Sequence, residues 1–303
     1  MAVGLAAVAA GLLPWLRTGL RLPLQNLWAL DTDVHDMPRA LLPFSQYAVA
    51  FIVAALFLGA LAAGYAARLL RARTPRGWWW VVAATVVVAQ VLALVQTAVT
   101  VYPGMPKQRV PIAYGFDVQV RTELTSVARP YFYGIVGGAS VAIVLGLALL
   151  VLIARAPVPG FVIAVAIGAV ALGVWLQFLV NPLTGVPGGD AMTALLKVVR
   201  WVPAVVLGVA LAWSGFRTAA RMIAAVVALV ALWVGPALVD AVSGALGSRV
   251  LLGQPELLLD YALRVFRDEL TTRLGTWPEV LVALLVGAIG ATVLARRRRG
   301  HGA

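Results

Sequence analysis

Residues 42–102 read LPFSQYAVAFIVAALFLGALAAGYAARLLRARTPRGWWWVVAATVVVAQVLALVQTAVTVY. Two apolar runs, 42–70 and 77–102, flank a short turn that carries Arg71, Arg73 and Arg76 and no acid. A helix rises about 1.5 Å per residue, so each run is long enough to cross a hydrocarbon core of about 30 Å. Apolar run, arginine turn, apolar run is the signature of a membrane hairpin, and it sets the reading of everything around it.

Outward from this hairpin the same grammar recurs at 131–153, 161–180, 198–216, 222–241 and 280–294, the last lengthening to a span if it begins near Trp277. The whole chain is 62% hydrophobic and only 12% charged, against about 25% charged in a soluble domain. Its mean hydropathy of +0.95 points the same way. The expected fold is therefore all-α, a polytopic helical membrane bundle of about eight spans, seven of them clear.

The eighth is the run 3–16, about 14 residues before Arg17. It lacks the basic start of a signal peptide, and Pro14-Trp15-Leu16 is a poor cleavage site. An interfacial helix and a short span both remain open. The span is preferred, because an even total puts both ends of the chain on one side.

Charge then orients the bundle. Arg68, the turns around 71–76, 155 and 217–221, and the tail 296–299 hold eleven arginines and no acid, while all twelve carboxylates fall on the other side. Basic residues close to span ends in short loops mark the cytoplasmic face. Both ends are then cytoplasmic, with residues 296–303 as a basic tail. The Ala, Val, Gly and Arg usage suggests a bacterial chain, so the membrane would be the bacterial cell (inner) membrane. The net charge of +12 sits mostly at span ends, where anionic lipid headgroups account for it and nucleic acid is not needed.

The chain reads as one transmembrane domain, with a possible repeat of four hairpins at 1–70, 77–154, 161–216 and 222–295. Each external loop is expected to hold a short acid-started helix that runs into a proline. Asp117 would start one through Val120, Leu124 and Val127; Asp190 another through Met192, Leu195, Leu196 and Val199; Pro255 a third through Leu259, Leu263, Phe266, Leu270 and Leu274, ending before Pro278; and Asp36 a shorter version ending near Pro43. Asp260–Arg264 is an i,i+4 pair opposite the apolar face of the third.

Candidate chemistry is sparse. Asp31, Asp33, His35 and Asp36 are the densest group of potential ligands and could hold Mg2+, Mn2+ or Ca2+, with Asp31, Asp33 and His35 as catalytic candidates. They serve equally well as a solvated acidic turn. An Asp-x-Asp just outside the first span resembles that of membrane glycosyltransferases using lipid-phosphate donors. Asp240 is the only carboxylate touching a span, with Arg200 as an expected neighbour. Gln90, Gln96, Gln177 and Asn181 are polar groups inside or at the ends of apolar runs, fit either to bind a solute or to bond helices together. Gly137, Gly138, Gly287 and Gly290 would permit close helix packing.

The absence of cysteine excludes disulfides and thiol chemistry. There is no Walker loop, His-Glu-x-x-His, Gly-x-Ser-x-Gly or dinucleotide fingerprint, and no cofactor is identified beyond the weak metal candidates. Three functional classes remain. The first is a transport or translocation component without ion coupling. The second is an outer-leaflet enzyme acting, with a metal, on a lipid-linked substrate. The third is a non-catalytic assembly subunit with a membrane-protein partner.

Overall fold

The computed structural model describes residues 1–22, 36–75, 77–114, 117–126, 128–182, 189–248, 251, 254–271 and 277–300. It shows an all-α membrane protein. In chain order the helices are α1 (Ala2–Gly11), α2 (Leu13–Arg17), α3 (Val49–Leu69) and α4 (Trp78–Val101), then the strands β1 (Lys107–Tyr114) and β2 (Asp117–Leu124). There follow α5 (Ala128–Arg155), α6 (Val158–Val180), α7 (Asp190–Val199), α8 (Val202–Ser214), α9 (Ala219–Gly247), α10 (Pro255–Thr271) and α11 (Trp277–Gly300).

Seven helical segments among the described residues are long and apolar enough to cross a membrane; one of them, Asp190–Ser214, joins α7 to α8. The first apolar run is not an eighth long helix. It breaks at Leu12 into ten and five residues, α1 and α2. Ten residues rise only about 15 Å, half of a hydrocarbon core. The break comes just ahead of Pro14, whose ring is at home only in the first turn of a new helix. Contacts nevertheless set the level of this segment. Gly4 lies against Thr85 of α4, Gly11 against Gly59 at the middle of α3, and the Trp15 indole donates to the Ala40 carbonyl (2.8 Å) at the opposite end. Met1 therefore starts toward the end of the bundle where α3 finishes and α4 begins. Helix α11 runs parallel to α8, Gly287 on Leu211 and Gly290 on Ala212, and Trp213 of α8 meets Phe161 beside Arg68, so α11 finishes toward that same end.

Two buried clusters hold the bundle. The first joins α1, α3, α4 and α5 through Val8, Phe51, Ile52, Leu56, Val82, Val86 and Leu150. The second joins α6, α8, α9 and α11 through Val162, Leu207, Leu211, Leu232 and Ala283. A third, with Leu61, Leu149, Ile153 and Phe161, ties α3 and α5 to α6. Lipid tails are as apolar as leucine, so helices associate through close approach rather than hydrophobic sequestration. Glycine makes that approach possible. A Cβ on Gly64 would come within 2.6 Å of the Leu150 carbonyl oxygen, and one on Gly208 within 2.9 Å of the Ala283 carbonyl oxygen. Gly287 and Gly290 face Leu211 and Ala212 of α8 as expected, whereas Gly137 and Gly138 have nothing within 4 Å of a built Cβ.

The loops at the other end differ from expectation in two of four cases. Helices α7 and α10 form where Asp190 and Pro255 predict them, and Asp260 pairs with Arg264. The Asp117 stretch is instead strand β2, paired antiparallel with β1 from Lys107↔Leu124 to Tyr114↔Asp117. Val118, Val120 and Thr122 alternate with Gln119 and Arg121, a period-2, β-branched pattern that competes with the i,i+4 spacing of Val120 and Leu124. Pro111 fits because a strand in a two-stranded ribbon has one free edge. The Asp36 segment forms no α-helix either. It runs past an isolated bridge between Arg21 and Arg39, and its backbone is pinned by α4: Leu41 N–H donates to Gln96 Oε1 and Leu42 N–H to Thr97 Oγ1, both at 2.9 Å.

The tightest approach in the first cluster yields a paired test. A Cβ on Gly11 would overlap the Ala55 carbonyl, and Gly59 N lies only 2.9 Å away. Gly11→Val must push α1 off α3, at a cost of about 1–3 kcal/mol or more. Its thermal midpoint in detergent should fall, while Gly137→Val, with open space around it, should leave the midpoint unchanged.

Candidate functional site

Where the two clusters meet, α3 and α8 flank α6, and the space between them is a cleft of about 810 Å³. Ligand pockets run from about 300 to 1,000 Å³, so this is room for a sizeable molecule. Small side chains open it. Ala62 of α3, Gly168 and Ala169 of α6, and Ala210 of α8 line it where larger residues would fill it. Along α6 the lining runs from Phe161 to Trp175, a rise of about 21 Å, more than one leaflet of hydrocarbon. Val206, Val209 and Trp213 of α8 and Tyr65 and Leu69 of α3 line it and are also exposed on the bundle surface, so it opens sideways toward lipid.

Its two ends differ chemically. One is closed by the break in α1. Helix ends leave carbonyls without an intrahelical partner, and inside a bilayer no water supplies one. The Trp175 indole N–H donates to the Gly11 carbonyl at 2.7 Å, satisfying that end and fixing the indole across the cleft.

At the other end stands Arg68, half-buried in the last turn of α3. Its Nη1 donates to the carbonyls of Ile153 (2.9 Å) and Ala156 (3.1 Å), where α5 ends. This caps orphan carbonyls and sets a cation on the negative end of the helix dipole. Its guanidinium also lies 4.8 Å from the Phe161 ring centroid, and Phe161 in turn meets Trp213 edge-on at 5.3 Å. Helices α1, α3, α6 and α8, which line the cleft, contain no Asp or Glu at all. Arg68 is therefore a cation at the rim of an apolar chamber, held by carbonyl dipoles and a ring.

None of the described candidates read from sequence is among the residues lining the cleft. Asp31, Asp33 and His35 fall outside the described residues, and Asp36 is exposed. No cluster of three or more metal-ligating side chains is found among the described residues. Gln90 is buried between α3 and α4, its Nε2 donating to the Leu56 carbonyl at 2.9 Å. Gln96, besides holding Leu41, donates to Arg39 O (3.2 Å) and Thr100 Oγ1 (3.0 Å). Gln177 and Asn181 are exposed at the far end of α6. Arg200 pairs with Glu279 at the start of α11, Nε to Oε1 at 2.6 Å, a partner the sequence leaves unassigned. Asp240 is half-buried in α9, one turn past Pro236.

What sequence reading passes over is Arg68. It lies inside the apolar run 42–70 rather than in the turn after it, and that position is the signal available. Comparison with family models, with curated proteins and with solved structures finds no match. The cleft must be interpreted from its own chemistry.

Proposed function

We propose that this chain is a transport or translocation component whose solute is apolar or amphipathic and enters the cleft sideways from the bilayer. The observation carrying this reading is the cleft itself: about 810 Å³ of apolar-lined space inside the membrane, open toward lipid on one side. An assembly scaffold has no need of such a volume, and an enzyme of the outer leaflet would place its chamber among the acidic loops. Coupling to ions is not part of the proposal. Ion-driven carriers hold ionisable groups within their spans. No carboxylate or histidine is among the residues lining the cleft, and Asp240, half-buried in α9, does not line it.

Reconstitution tests this directly. Vesicles containing the protein should exchange a fluorescent lipid between leaflets faster than protein-free vesicles, with no change when ion gradients are collapsed. Ala62→Trp with Val206→Trp places two indoles in the cleft and should return the rate to the protein-free value. Wild-type vesicles no faster than empty ones would remove the translocation reading.

The same proposal sets the protein in a bacterial cell membrane with its arginine-rich end, and both chain ends, in the cytoplasm. The absence of native cysteines makes mapping straightforward. With an impermeant thiol reagent, Glu256→Cys should label in intact cells, and Arg73→Cys only after lysis; both positions are exposed. The reverse pattern would invert the orientation.

A further inference from the structure

Resting on the cleft reading above, we propose that its resident ligand is an anionic phospholipid of the arginine-rich leaflet, tail along α6 and phosphate on Arg68. The geometry of the guanidinium carries the argument. Arginine offers five N–H donors in a planar fork. Both hydrogen bonds from Arg68 to the protein leave from Nη1, to Ile153 and Ala156. The Nε–Nη2 edge donates no hydrogen bond to the described residues. That edge presents two parallel N–H groups, the arrangement that grips phosphate oxygens bidentately. An arginine anchored on one side and open on the other is a receptor for an anion.

Charge selects among lipids. A zwitterionic head brings an ammonium that must find an acceptor of opposite charge. No carboxylate occurs on α1, α3, α6 or α8, and Arg71 and Arg73 follow Arg68 by one turn, both exposed. An ammonium would meet no opposite full charge on these helices and would be repelled by the arginines, whereas a phosphate with an uncharged head meets a field of its own complement. Tyr65, one turn before Arg68 and half-exposed at the rim, adds a hydroxyl at headgroup depth.

The depth also fits. Arg68 sits in the last turn of α3, where a headgroup belongs, and the lining beyond it runs into the apolar middle of the bundle as far as Trp175. A tail whose phosphate rests on Arg68 would lie in the groove of small residues and stop at the indole.

Native mass spectrometry of the full chain, titrated in detergent with phosphatidylglycerol or phosphatidylcholine, decides the matter. Wild type should hold one phosphatidylglycerol about tenfold more tightly than phosphatidylcholine; both carry the phosphate the fork grips, so the difference reads the repulsion between the choline ammonium and the arginines at this rim. Arg68→Gln should weaken both lipids and narrow the gap between them, whereas Arg68→Lys, which keeps the charge and loses the fork, should weaken both and keep the gap. Equal affinities in wild type would overturn the anionic assignment, whether or not the variants fold. The cleft reading fails by a different result: Ala62→Trp with Val206→Trp leaving retention of both lipids unchanged.

Discussion

A backbone carbonyl that ends a helix inside a bilayer must find a donor within the protein, because lipid offers none. The architecture around the cleft follows from how this chain meets that demand at Gly11. Helix α1 stops there, against the middle of α3, and the indole of Trp175 closes the open carbonyl. The bond is long-range in sequence and ties the first ten-residue helix to α6 across the junction of the two buried clusters. Trp15 does the same for Ala40 beyond the break. A full-length first helix would have no exposed end at this depth and would not require Trp175 to turn inward. The short helix is thus what gives the cleft its closed end.

The open end obeys the same rule from the other direction. Helix α5 finishes near Ile153 and Ala156, and Arg68 satisfies both carbonyls with one nitrogen. A long cation can do this at the membrane edge because its stem lies along apolar surface while its head stays near the headgroups. The chamber between these two closures persists because its walls are small. Ala62, Ala169 and Ala210 line it, while Gly168 lets Leu61 of α3 close against α6, where a Cβ would meet Leu61 Cδ1 at 2.8 Å. Elsewhere small residues draw helices together, as Gly208 and Gly287 do between α8 and α11. Between α3 and α8, flanking α6, they leave room instead.

The spans were legible because hydropathy over twenty residues is a strong signal, and the arginine turns punctuate it without ambiguity. Loop structure was half legible. Asp190 and Pro255 open real helices, but the stretch from Asp117 satisfies both a helical and a strand period, and only pairing with Lys107–Tyr114 chooses between them. The cleft was not legible at all. Ala62, Gly168 and Ala210 read as ordinary span residues whether they touch lipid, protein or a cavity, since all three surroundings are apolar. Gln90 and Gln96 stood out as polar groups in apolar runs, and Thr97 follows Gln96 in the chain. Their tasks, bonding α4 to Leu56 and to the backbone of Leu41 and Leu42, depend on a fold that spacing does not reveal. Arg68 was counted as a marker of topology, and its second role depends on which of its nitrogens the carbonyls of α5 occupy.

The central claim is that a lipid lies in this cleft with its phosphate at Arg68. The most direct measurement is a cryo-electron microscopy reconstruction of the wild-type protein in nanodiscs made with phosphatidylglycerol. The account requires elongated density along α6, bounded by Trp175 and ending in a strong head feature beside the Nε–Nη2 edge of Arg68. A cleft closed by movement of α3 against α8, or open but empty, would contradict it.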